Sequence, residues 1–139
     1  MTQPTLIDKL NEALGWELRA INMYAHYAAN VKGIHRLQLS PMFDTEATES
    51  LAHANIVRQS IVKLKGIPVT ERHPHPITHP TDYSEMLQFS LETETQAAAV
   101  YGEVMIQLEA AEDQDLKDAI EQIYLAELRS VEELRLLME

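Results

Sequence analysis

Apolar residues recur at three- and four-residue intervals through four long stretches of the chain, the spacing that one face of an α-helix presents. In the first stretch the line runs Ile7, Leu10, Leu14, Glu17, Ile21, Tyr24, Ala28 and Val31. The third gives Leu87, Leu91, Glu94, Ala98, Tyr101, Met105 and Leu108, and the fourth Leu116, Ile120, Ile123, Glu127, Ser130, Leu134 and Leu137. The second is more polar: Phe43, Glu46, Ser50, His53, Val57, Ser60 and Leu64. These lines predict four helices, at about 4–31, 41–65, 83–111 and 115–138.

Start and stop signals set those limits. Pro4 is tolerated in a first turn, with Thr2 or Gln3 before it, and Gly33 stops the first helix. Ser40 can cap the second with Pro41 at its first position, and Gly66 followed by Pro68 ends it. Asp82 with Glu85 reads as a capping box for the third, and Asp113 or Asp115 as the cap of the fourth. Short links make the first two helices an antiparallel pair, and likewise the last two. The proline-rich segment 67–81, IPVTERHPHPITHPT, can extend ~50 Å, whereas a 25-residue helix is ~37 Å long. It can therefore cross the full length of a bundle, as an up-down-down-up order requires. The expectation is an all-α fold, one domain over 1–139.

Composition narrows the chemistry. With no cysteine, disulfides, thiolate zinc sites and iron–sulfur clusters are excluded. A formal charge of −11 disfavours a nucleic-acid backbone as partner and favours cations. The opening MTQPTLIDKL lacks a signal-peptide layout, and no run approaches ~20 apolar residues. A cytoplasmic protein without a membrane partner is expected.

Ionisable residues interrupt every apolar line near its midpoint: Glu17, His53, Glu94 and Glu127. Helix midpoints share a height whichever way each helix runs, so the four groups should meet at one level. Buried, clustered carboxylates repel and are expensive to desolvate, and a proton or a bound cation relieves both costs. Carboxylate and imidazole donors together suit iron, manganese or zinc.

On these residues the chain resembles the ferritin-like superfamily, and bacterioferritin in particular, along nearly its whole length. LGWELRAINMY (14–24) looks like the first-helix signature, and ESLAHANIVRQSIVKLKGIP (49–68) is similar to the second helix and its exit. EMLQFSLETETQAA (85–98) and IYLAELRSVEEL (123–134) match the third and fourth. The resemblance implies that Glu17 and His53 hold one metal ion, Glu94 another, and that Glu127 bridges them. The family carries Glu-x-x-His on both its second and fourth helices, where this chain has Ser50 and Ser130. One ion or a weak, asymmetric pair is therefore expected. Glu46, one turn before Ser50, could reach the gap, and a π-bulge would bring Glu49 inward; otherwise both line an access path. Tyr24, one heptad beyond Glu17, is read chiefly as packing, with a hydrogen bond to a ligand or redox participation as the alternatives; Ser50 and Ser130 are placed beside the ions.

Leu51 stands where the family has its haem-ligating methionine, so no haem is expected. The sequence stops at Glu139 without the family's short fifth helix, which favours a homodimer through the first two helices over a cage. Trp16, on the face read as turned from the core, is assigned to that interface. His73, His75 and His79 are read as solvent-exposed loop residues, and His26 and His35 as lacking partners. The functional expectation is iron binding, oxidation or storage, with ferroxidase chemistry. The alternative is a ferritin-like scaffold with little metal that co-assembles with a ligand-complete subunit.

Overall fold

The computed structural model describes residues 5–139 and consists of four α-helices, with no strand among the described residues. They are α1 (Leu6–Asn30), α2 (Arg36–Lys63), α3 (Tyr83–Leu108) and α4 (Gln114–Met138). The start of α1 placed at Pro4, with Thr2 or Gln3 capping, lies outside the described residues. Thr5 instead caps the described helix, in a reciprocal box with Asp8 at 3.1 Å in each direction.

The second helix begins earlier than its sequence signals suggest. Pro41 is internal to α2, and Ser40 does not cap: its hydroxyl donates to the Ala28 carbonyl at 2.7 Å. A proline there forfeits one helical bond. The preceding turn is held by other means: Leu39 is buried, and Arg36 donates to the Val31 and Ala29 carbonyls that end α1. At the far end of α2 the left-handed residue is Lys65 (φ 68°), not Gly66. Gly66 is needed for space instead, since a Cβ there would lie 2.7 Å from Ile7 Cγ2. Asp82 caps α3 through the Ser84 amide, and Asp113 caps α4 through that of Leu116; α3 ends at Leu108, short of residue 111.

Hydrogen bonds between helices fix their directions. Glu17 pairs with Tyr101 and Tyr24 with Glu94, so α1 and α3 are antiparallel; His53 meets Glu127 and Lys63 meets Asp113, so α2 and α4 are too. With α1 and α2 joined by a short turn, the order is up-down-down-up. The helices pack as neighbours α1–α2, α3–α4, α1–α3 and α2–α4, the last pair touching least. Along the chain the core divides in two. One cluster gathers Leu10, Leu14, Val57, Ile61, Tyr101 and Ile120; the other gathers Met23, Tyr24, Tyr27, Phe43, Met86 and Leu134. Each fully buried aliphatic or aromatic side chain stabilises by ~1.5–3 kcal/mol, and this burial offsets the polar layer between the clusters.

The α2–α3 connection runs the length of α1, in the same direction. Asn11 receives the Val69 amide and donates to the Ile67 carbonyl, the His73 amide donates to the Gly15 carbonyl, and Tyr27 reaches the Thr78 carbonyl. A Cβ at Gly15 would meet His73 N at 3.4 Å, an ordinary contact distance.

Candidate metal centre

Between the two apolar clusters, Glu17, Glu94 and Glu127 are buried to within 4 % of full burial, and His53 keeps 13 % of its side chain exposed. The His53 Nδ1 lies 3.2 Å from both Glu17 Oε2 and Glu127 Oε1. One ligating atom from each of these three residues falls within 4.8 Å of the others. Glu94 joins from the far side, beside Glu127.

The α1–α3 pairing supplies a crossed set of supports. Tyr24 follows Glu17 by one heptad and donates to Glu94 Oε1 at 2.7 Å; Tyr101 follows Glu94 by one heptad and donates to Glu17 Oε2 at 2.9 Å. Antiparallel helices with the same Glu-to-Tyr spacing bring each tyrosine to the other helix's carboxylate. Tyr24 is packed in the apolar cluster, its favoured reading, and also donates this hydrogen bond. Tyr101, which the sequence places only in the apolar line of α3, touches the carboxylate cluster as well, and its spacing from Glu94 repeats that of Tyr24 from Glu17.

Burial is the main force on these carboxyls and raises Glu17, Glu94 and Glu127 above the ordinary carboxylate range. For Glu94 the charge of Glu127 and a proton shared with it add to the rise. That proton is present only while one of the pair is protonated. With both ionised, Glu127 Oε2 is buried without any hydrogen-bond donor among the described residues. Such an orphaned acceptor is rare in folded proteins and marks a place for a proton or a cation. Burial alone would lower the His53 imidazole, yet Glu127 and Glu17 outweigh it and push it up to about 10. A proton on His53 and a cation in the cluster are alternative answers to the same negative charge.

The other half of the centre is sparser. Ser50 is buried and Ser130 half-buried, and neither supplies a charge. The helix is regular through 49–53, without the π-bulge that would turn Glu49 inward. Glu49 stays 41 % exposed, with Oε1 at 3.7 Å from His53 Nε2. Glu46 is half-buried, and burial, with the charges of Glu94 and Glu49, raises it to about 7. Both stand outside the three-residue set and line a depression of about 380 Å³ with Arg129, Ser130, Glu132 and Glu133. A second groove, of about 630 Å³, lies between α2 and α4 and reaches His53 past Ser60, Leu116 and Ile123.

Several side chains read as exposed or unpartnered find partners along the crossover. Trp16 is buried, not free for a subunit interface: it stacks on His73 at 4.1 Å between ring centroids, with the Arg19 guanidinium 5.4 Å from its ring. His26 meets His79 at 2.8 Å, and His35 packs edge-on against Tyr83. Arg19, which no sequence signal singled out, is 97 % buried; it donates to the His75 and Pro76 carbonyls and to Thr93 Oγ1 at 2.7–2.9 Å. Its place two residues after Glu17 ties the crossover and α3 to the helix that presents the first carboxylate.

A family model described as a ferritin-like domain matches residues 7–139. Among solved structures, one described as a crystal structure of ferritin-like, diiron-carboxylate proteins from Bacillus anthracis str. Ames is similar. It superposes with a TM-score of 0.90 at 32 % identity, covering 96 % of this chain and 95 % of that one. A search of curated proteins finds no match. None of the described helices is long and apolar enough to cross a membrane.

Proposed function

The chain belongs to the ferritin-like domain family, and on that premise we propose that it binds iron within the cluster of Glu17, His53, Glu94 and Glu127, through Glu17, His53 and Glu127, and oxidises it from the ferrous to the ferric state. The observation that carries this reading is the convergence of Glu17, His53 and Glu127 around an orphaned carboxylate oxygen, halfway along the bundle. Three carboxylates and an imidazole suit ferrous iron, and manganese or zinc would compete for the same donors. Each ferrous ion gives up one electron, and dioxygen or peroxide is the acceptor.

The residues divide the work. Tyr101 holds Glu17, and Tyr24 holds Glu94, in fixed rotamers aimed at the interior. His53 must release its proton to serve as a ligand, so iron binding releases protons and weakens at low pH. The acidic depression at Glu46 and Glu49 is the approach for cations, favoured by the overall charge of −11. The bacterioferritin-like features of the sequence support iron storage, a cytoplasmic homodimer and one domain over the chain as parts of the same reading.

Aerobic addition of ferrous iron, followed by near-ultraviolet ferric absorbance, tests it. Oxidation should exceed the buffer rate and fall at least tenfold in His53→Ala and Glu17→Ala. Equal rates for protein and buffer would overturn the oxidase reading. Ser50 and Ser130 favour a second reading, a ferritin-like scaffold that co-assembles with a ligand-complete subunit. That reading predicts protein isolated free of metal after iron supplementation.

A further inference from the structure

The two halves of the centre differ in a way that sets how many cations it can hold. On one side Glu17, His53 and Glu127 each place a ligating atom within 4.8 Å of the others. On the other, Glu94 lies outside that set, and the residues on α2 and α4 at that level are Ser50 and Ser130. Among the described residues no second set of three donors closes to the same distance.

Charge points the same way. The three buried carboxylates carry −3 when ionised, so one divalent cation leaves −1 and two leave +1. The groups already aimed at these carboxylates are hydroxyl donors, Tyr24 and Tyr101, which steady a negative remainder. Among the described residues, the carboxylates nearest the cluster that could steady a positive one, Glu46 and Glu49, are only half-buried at its partly solvated rim. An uncompensated charge in such a layer is costly.

We propose that this chain holds a single divalent first-row cation, bound by Glu17, His53 and Glu127, with Glu94 outside its ligand set. The similar Bacillus anthracis structure is described as a diiron-carboxylate protein; in this chain Ser50 and Ser130 leave a second ion without charged donors from α2 and α4 at that level. Solvent completes the coordination from the groove that reaches His53. The inference rests on the metal-binding reading above, and stoichiometry separates the two.

Full-length, metal-stripped protein carrying His26→Ala and His79→Ala, which removes the surface histidine pair, is titrated with cobalt(II) and followed by visible absorption. Bound metal is counted by elemental analysis, and a manganese(II)-loaded sample is examined by electron paramagnetic resonance. One cobalt per chain and an uncoupled manganese signal are expected. Glu94→Gln should keep that stoichiometry, with affinity within about threefold, whereas His53→Ala should lose more than about tenfold. Ser50→Glu combined with Ser130→His should add a second equivalent. Two equivalents or a spin-coupled manganese pair in the parent protein would overturn the one-ion inference alone. So would loss of the first ion in Glu94→Gln. Absence of any binding would overturn the metal reading with it. If the double serine variant does not fold, the parent stoichiometry still decides.

Discussion

The two broad faces of the bundle are built to different standards. On the α1–α3 face nearly every buried polar group is answered by a neighbour. Arg19 fastens the crossover, Thr93 receives Arg19, and each tyrosine grips the opposite helix's carboxylate. On the α2–α4 face the helices touch least, a groove of about 630 Å³ runs to His53, and Glu127 keeps an oxygen with no donor. Half of the centre is thus pre-organised and the other half left adaptable. Under the proposed metal-binding function, rigid placement of some ligands and access beside the others are complementary needs.

The largest effect that could break this comparison is at Arg19. Arg19→Ala removes the bonds to the His75 and Pro76 carbonyls of the crossover and to Thr93, and should destabilise the protein by about 3 kcal/mol in urea unfolding, with Arg19→Lys restoring little. Arg129→Ala, at the exposed rim of the α2–α4 grooves, should change stability by less than about 0.5 kcal/mol. Equal costs at the two positions would refute the asymmetry.

Binding measurements sharpen it within the centre. Tyr101→Phe removes the hydroxyl from Glu17 and should weaken the first divalent ion by about tenfold. Tyr24→Phe acts on Glu94, outside the three-residue set, and should change that affinity by less than about threefold. Similar losses in both variants would make Glu94 an equal ligand.

Stability against pH tests the adaptable half. Glu17, Glu94 and Glu127 are raised in the folded protein, Glu46 is raised from 4.5 to about 7, and His53 from 6.5 to about 10. All five hold protons more tightly folded than unfolded, so their stabilisation is complete below the unfolded values and disappears as pH rises. Glu46 loses its contribution between 4.5 and about 7, and His53 between 6.5 and about 10. The metal-free protein should therefore melt at a lower temperature at pH 9 than at pH 6. Loading with manganese(II) should shrink or reverse that difference, because the cation takes the protons' place. An unchanged pH dependence on loading would show that no cation enters the cluster.

The smallest effect concerns the end of α2. Lys65 holds a left-handed backbone that glycine adopts without steric cost, so Lys65→Gly should stabilise by about 0.5–1 kcal/mol in thermal unfolding.

Much of this was legible in the chain. The 3–4 spacing reveals all four helices, and the length of the proline-rich connection permits the up-down-down-up order. The interruption of each apolar line gives Glu17, His53, Glu94 and Glu127 without reference to any relative. What periodicity could not supply was partnership across helices. Tyr101 occupies a core position in its own helix and reveals its role only when α3 lies antiparallel to α1. Trp16 falls outside the apolar line of α1, and only the path of the crossover buries it. Pro41 illustrates a different limit: local signals place a helix start there, but packing at Leu39 and Arg36 extends the helix through it.

The most direct test of the centre is an anomalous difference map from crystals of the protein equilibrated with manganese(II) or ferrous iron. A single peak among His53 Nδ1, Glu17 and Glu127, at ~2.0–2.3 Å from their ligating atoms, is the predicted result. Density confined to the surface pair His26 and His79, or none at the mid-bundle cluster, would contradict it.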